Sequence, residues 1–127
     1  MSPLQDYLRQ VREVIATFPG AQVERHRAEL LTTSRANLRI RLRLPDDSFL
    51  EISEALVVEE GALTWPSYRY HWQDASGRVI LRYDNALHHP EVESFPDHKH
   101  VEKTVMASER PALPDLLAEI QRLLAKR

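Results

Sequence analysis

Apolar residues recur along this chain with two periods, and the switch between them outlines the fold. Leu4, Tyr7, Leu8, Val11, Val14, Ile15 and Phe18 fall at spacings of three and four, one face of an amphipathic helix. Ser2 is placed to cap it, Pro3 fits its first position, Gln5 can close a capping box, and Pro19-Gly20 stops it. From Gln22 to Leu31 the pattern becomes a mixed alternation, read as an edge strand that ends at the turn-like Thr32-Thr33-Ser34. Leu38, Ile40, Leu42 and Leu44 then alternate with Arg39, Arg41 and Arg43, the clearest period-two signal in the sequence. One face of that strand belongs to a core and the other carries three arginines. Pro45-Asp46-Asp47-Ser48 turns the chain into a strand from about Leu50 to Val58. Matching the apolar faces sets Leu42 opposite Ile52, Arg43 opposite Glu51, and Glu54 opposite Ile40. Glu54 on an apolar face requires a partner, either as a buried or rim ion pair or as support for a functional site.

Leu63 to Gln73 is the next strand, with Trp65-Pro66 marking an edge, a bulge or a late start. Asp74-Ala75-Ser76-Gly77 is a hairpin loop and Arg78 to Asp84 returns. Pairing Gln73 with Arg78 sets Trp72 against Val79, Tyr70 against Leu81 and Tyr68 against Tyr83, an apolar and aromatic face. The other face then pairs His71 with Ile80, Arg69 with Arg82 and Ser67 with Asp84. Two arginines directly opposite each other are destabilising unless a carboxylate such as Asp84 or Glu54, or a phosphate, lies between them. Ala86 to Pro96 reads as a loop, and Lys99 to Met106 as a last edge strand with His98, His100 and Glu102 on one side. Leu113, Leu116, Leu117, Ile120, Leu123 and Leu124 mark a closing helix with Pro114 in its first turn. The expected fold is α+β: residues 1–127 as one domain, a single antiparallel meander sheet of about five or six strands flanked by an N-terminal and a C-terminal helix. Trp72 is read as core, Trp65 as rim packing and Phe95 as an anchor for the loop.

Composition narrows the function. The 127 residues contain no cysteine, which removes disulfides and thiolate metal sites from consideration. No apolar run approaches the ~20 residues that span a bilayer, so no membrane partner is expected and a cytoplasmic location is the default. A net charge of −2 argues against a bulk electrostatic nucleic-acid binder. The positive charge is unevenly distributed, however. From Arg25 to Arg82 every basic residue is arginine, whereas lysine appears only at Lys99, Lys103 and Lys126. Arginine's planar fork suits carboxylate or phosphate, and its stem also covers exposed sheet.

Five of the six histidines lie between Tyr68 and His100. His98-x-His100 on a strand projects two imidazoles to one side, and His88 or His89 with Asp84 or Asp97 would complete a metal set. No metal-binding motif with a defined spacing accompanies them, and no metal or cofactor is assigned. The same residue types suit metal-free RNA cleavage. One imidazole deprotonates the 2′-hydroxyl, another protonates the leaving oxygen, and arginines hold the phosphate.

YRYHWQD from Tyr68, then RYDNALHHPEVESFPDHKH from Arg82, with the ISE at Ile52-Ser53-Glu54 and a short proline-flanked helix, resembles the small TumE-type toxins of prokaryotic toxin–antitoxin modules. The resemblance covers nearly the whole length and is most specific from Tyr70 to His100. The family pattern often has Trp where Tyr83 stands, Pro where Leu87 stands and His where Asp97 stands, so proton-transfer roles shift toward His98 and His100. The resemblance implies a toxin partnered by a helix-turn-helix antitoxin, and it carries over no catalytic assignment.

The combined expectation is a toxin acting as a metal-independent endoribonuclease on RNA. Arg69 and Arg82 would bind phosphate, His89 and His100 would serve as acid and base, and His88, His98, Asp84 and Glu54 would support them. The alternative is a non-enzymatic module that docks an acidic or helix-turn-helix partner on its arginine face. A homo-oligomer is compatible with either.

Overall fold

The computed structural model describes residues 2–127. The first helix, α1 (Pro3–Ala16), begins with the capping box expected at Ser2 and Gln5. Seven strands follow, β1 (Gln22–Thr32), β2 (Arg35–Arg43), β3 (Phe49–Glu59), β4 (Ala62–Gln73), β5 (Val79–Asp84), β6 (His98–Val101) and β7 (Thr104–Ala107). The chain closes with α2 (Leu113–Leu124), with Pro114 in its first turn. The strands form one antiparallel meander, each bonded to its neighbour in chain order.

Both helices lie on one face. Leu4, Leu8, Val11 and Ile15 of α1 and Leu113, Leu116, Leu117 and Ile120 of α2 share a core with Leu38, Ile40, Leu42, Leu50, Ile52, Tyr70, Trp72 and Leu81. Trp72 is fully buried and its indole N–H donates to Ser48 Oγ at 2.9 Å. Trp65 is half-buried between the Tyr7 ring at 5.3 Å and the Arg110 guanidinium at 3.5 Å. Gly20 ends the α1 segment at φ 74°, where an added Cβ would meet Pro45 Cγ at 2.9 Å. Among the described residues the opposite face carries no helix.

The sheet has seven strands instead of five or six because residues 98–107 form a hairpin in place of one weak edge strand. The turn between β6 and β7 places Glu102 at φ 55°, a conformation for which glutamate is a poor sequence signal. Two registers also differ from expectation. In β2–β3, Leu42 faces Leu50, Ile40 faces Ile52, Arg41 faces Glu51 and Leu38 faces Glu54. The turn closes early, with Leu44 N–H donating to Ser48 O at 2.8 Å, Asp47 N–H to Leu44 O at 2.9 Å, and Asp47 at φ 65°. This shifts the pairing by two residues without changing faces.

In β4–β5, Arg69 stands opposite Asp84, His71 opposite Arg82, Tyr70 opposite Tyr83 and Trp72 opposite Leu81. The expected Arg69–Arg82 pair does not form. Asp74 N–H closes the loop on Arg78 O at 2.8 Å, and a bulge follows between the Trp72 and Gln73 pairings. Each displaces the register by one residue. At Pro66 the bulge alternative is the one realised, since the β3–β4 pairing shifts between Ala55 and Val57. Edge strand β1 is exposed along its whole length.

Candidate functional site

The helix-free face carries side chains in rows that run across the strands. One row is Arg27, Arg39, Ser53, Arg69, Asp84 and His98, and the next is Arg25, Arg41, Glu51, His71, Arg82 and His100. β6 pairs with the end of β5, so His98 stands opposite Asp84 and His100 opposite Arg82. The segment after β5 folds back through short turns, with Val92 N–H donating to His89 O at 3.3 Å and Phe95 N–H to Val92 O at 3.1 Å. Phe95 in this loop is 41% exposed. The fold-back sets the His89 ring 5.0 Å from His98 and 5.4 Å from His100, and those two are 4.8 Å apart.

Asp84 is the hub. It is buried, and its Oδ1 accepts from Ala86 N–H at 2.9 Å and faces His98 Nε2 at 3.0 Å. Its Oδ2 accepts from Arg82 Nε at 2.9 Å and lies 3.6 Å from His100 Nε2. His98 is fully enclosed, with Nδ1 at 2.9 Å from Pro96 O and Nε2 held against Asp84. His100 has more freedom. Burial lowers its pKa, Asp84 opposes that shift, and the neighbouring His98, Arg82 and His89 reinforce it. His89 Nδ1 lies 3.0 Å from Glu91 Oε1, which fixes the ring and leaves Nε2 open. A cavity of about 160 Å³ is lined by Arg82, Asp84, Ala86, His88, His89, His98 and His100.

Six of the eight residues singled out from sequence therefore converge: Arg82, Asp84, His88, His89, His98 and His100. Arg69 shares their face as the neighbour of Asp84 but is exposed and lines a separate depression. Glu54 does not join them. It is buried on the helix-covered face, where it accepts from Tyr7 Oη at 2.7 and 2.9 Å and from Tyr70 Oη, with Arg110 at 4.0 Å. Burial pushes its pKa up against these hydrogen bonds. Glu91, the Pro96 carbonyl and the Ala86 N–H are contributors that residue-type reasoning missed. Of these, only Glu91 left a signal, a carboxylate two residues after His89.

The cluster can shuttle protons and bind an anion beside Arg82. One ring nitrogen each from His89, His98 and His100 also lie within 4.8 Å of one another, with Asp84 adjacent, a donor set of the kind that holds zinc.

Fold and site thus define an open-faced α+β protein with a histidine–arginine–carboxylate cluster on its bare sheet. A family model described as Toxin TumE matches residues 11–125. The chain belongs to the TumE toxin family, and as such is the toxin component of a toxin–antitoxin system, with an antitoxin as its partner. Searches of curated proteins and of solved structures gave no match. No helix among the described residues is long and apolar enough to cross a membrane.

Proposed function

We propose that this toxin is a metal-independent endoribonuclease, neutralised in the cytoplasm by a helix-turn-helix antitoxin. The observation that carries the reading is the packing of His89 on His98 and His100, with Asp84 bridging those two and Arg82. His100, whose pKa burial lowers, takes the proton of a ribose 2′-hydroxyl, and the resulting oxygen attacks the adjacent phosphorus. His89, braced by Glu91, protonates the departing 5′-oxygen, so the products are a 2′,3′-cyclic phosphate and a free 5′-hydroxyl. Arg82 spends Nε on Asp84 and keeps its terminal nitrogens for the phosphate, with Arg69 one strand away. Asp84 and His98 position these groups, and exposed His88 borders the entrance.

The test is cleavage of RNA by the purified toxin with end-group analysis. His100→Ala and His89→Ala are each expected to lose about 10²-fold or more in rate. RNA left intact by wild type, or variants as active as wild type, would sink the proposal. A second reading, metal-assisted hydrolysis, is favoured by the bracing of two rings. The Nδ1 atoms of His89 and His98 each face an oxygen, as in the outer shell of metal-bound histidines. Activity that disappears on chelation and returns with zinc would select it.

A further inference from the structure

The helix-free face has a second concavity, two strands away from the histidines. Its floor is Ser53, Ala55 and Ser67 with the backbone of Leu38, Glu54 and Tyr68, and its walls are Arg39 and Arg69, enclosing about 170 Å³. Ser53 lies between the two arginines, opposite Arg39 on one side and Arg69 on the other. With strands ~4.8 Å apart, Arg39 and Arg69 face each other across roughly 10 Å. Neither makes an ion pair among the described residues, and Arg39 also stands directly opposite Arg27, which makes none either. Like charges held opposite each other on one face repel, and a bound anion relieves the repulsion.

The neighbouring corner of the same face is different. Arg41 is held by Glu24 at 3.1 Å and by Glu51 at 2.5 Å, and Arg43 by Glu24 at 3.0 Å, and both stack on Phe49. Those arginines are already neutralised. The nearby carboxylate of Glu54 points to the other side of the sheet, and Glu29, opposite Asn37, forms no ion pair among the described residues. The Asp84 carboxylate opposite Arg69 is taken up by Arg82 and His98, so the concavity, lined by Ser53, Ser67, Arg39 and Arg69, is left cationic.

We propose that the depression between Arg39 and Arg69 is a phosphate subsite for single-stranded RNA, placing the strand across the sheet so that a phosphodiester further along it reaches the histidine cavity. The inference rests on the ribonuclease reading and deepens it. The row itself supplies the track, since Arg69 adjoins Asp84 and Asp84 adjoins His98. Only a polyanion long enough to cross three or four strands engages both sites. Arg39 and Arg69 grip its backbone without reading bases, so binding is tolerant of sequence and strongly salt-dependent.

The experiment measures binding of a fluorescent 2′-O-methyl oligoribonucleotide, which lacks the nucleophilic hydroxyl, at a series of salt concentrations. Cleavage of the unmethylated oligonucleotide is followed in parallel. The double variant Arg39→Gln/Arg69→Gln is expected to bind at least tenfold more weakly at low salt. Its slope of log K against log salt should become shallower by about 0.7 to 1.4, roughly 0.7 for each phosphate no longer neutralised. Arg41→Gln, in the neutralised corner, is expected to keep wild-type affinity and slope. Wild-type affinity and slope in the double variant overturn the subsite, as does loss of antitoxin binding with RNA binding unchanged, which assigns the face to a protein partner. Arginine-dependent binding of RNA that is never cleaved supports the subsite and removes the ribonuclease reading. Cleavage at the wild-type rate by the double variant does the reverse.

Discussion

Glu54 and Asp84 are both buried carboxylates on one sheet, and they face opposite ways. Glu54 accepts from the hydroxyls of Tyr7 on α1 and Tyr70 on β4, with Arg110 of the segment before α2 behind them. The network thus ties α1 and the segment before α2 to the sheet, and the Glu54 side chain is fully enclosed. Asp84 is surrounded by Arg82, His98, His100 and one backbone N–H, and those side chains open onto a cavity. A buried carboxylate therefore marks a site when its partners are titratable and reach solvent. When its partners are hydroxyls on packed elements, it holds the structure together.

Substitution at Asp84 is the strongest way to break this comparison. Asp84→Ala leaves the enclosed His98 ring and the Arg82 Nε without their acceptor, which costs roughly 2–3 kcal/mol because Arg82 is partly solvated. RNA cleavage is expected to fall by about 10²-fold or more, beyond any loss of folded protein. Urea unfolding and a rate normalised to the folded fraction separate the two effects. A variant with wild-type normalised activity would remove Asp84 from the site.

Glu54→Ala is the counterpart, with the next largest effect. Two tyrosine hydroxyls lose a buried acceptor, at about 1–3 kcal/mol for an unsatisfied group of this kind, so a total near 2–3 kcal/mol is expected. Cleavage per folded molecule should stay within about twofold of wild type. A specific activity loss without destabilisation would place Glu54 in the chemistry after all.

The faces of the strands were legible in the sequence, and their pairings were not. Tyr68, Tyr70, Trp72, Leu81 and Tyr83 are all buried on the helix side, as alternation requires. A slip of two residues keeps every side chain on its face, so alternation could not reveal that Arg69 meets Asp84 and Arg82 meets His71. Those pairings depend on a loop closure at Asp74–Arg78 and a bulge, both set by backbone hydrogen bonds that leave weak composition signals. The convergence of His89 on His98 and His100 is likewise a property of how the loop folds back. Residue types named the candidates, and only the three-dimensional path divided Glu54 from Asp84.

The pH dependence of stability gives a subtler contrast. The raised pKa of Glu54 means the folded state binds its proton more tightly than the unfolded chain, whose carboxyl titrates near 4.5. Folded molecules then hold more protons between 4.5 and the raised value, so this contribution is fully present below pH 4.5 and is lost as pH rises through the folded-state pKa. Glu54→Gln keeps an acceptor for the tyrosines and does not titrate. Its stability relative to wild type should therefore improve as pH increases from about 4 upward, measured by urea unfolding across that range. A difference that is flat with pH, or that moves the other way, contradicts the burial-dominated shift.

Arg41 carries the smallest expected effect and sharpens the contrast between the two arginine regions of the bare face. It bonds Glu24 and Glu51 and stacks 4.0 Å over Phe49, with about a third of its side chain still exposed. Exposed ion pairs contribute little because solvent screens them and ordering two long side chains costs entropy, so Arg41→Gln should lower stability by less than about 1 kcal/mol. High salt should shrink that difference further, since the pair is electrostatic and near the surface. Its β2 neighbour Arg39 makes no ion pair among the described residues, so Arg39→Gln is expected to leave stability unchanged or slightly raised by relieving its repulsion with Arg27. Thermal unfolding of the two single variants at low and high salt reads both signs directly. If Arg39→Gln proves the more destabilising of the two, Arg39 has a structural partner on this face and its charge is not held free for a ligand.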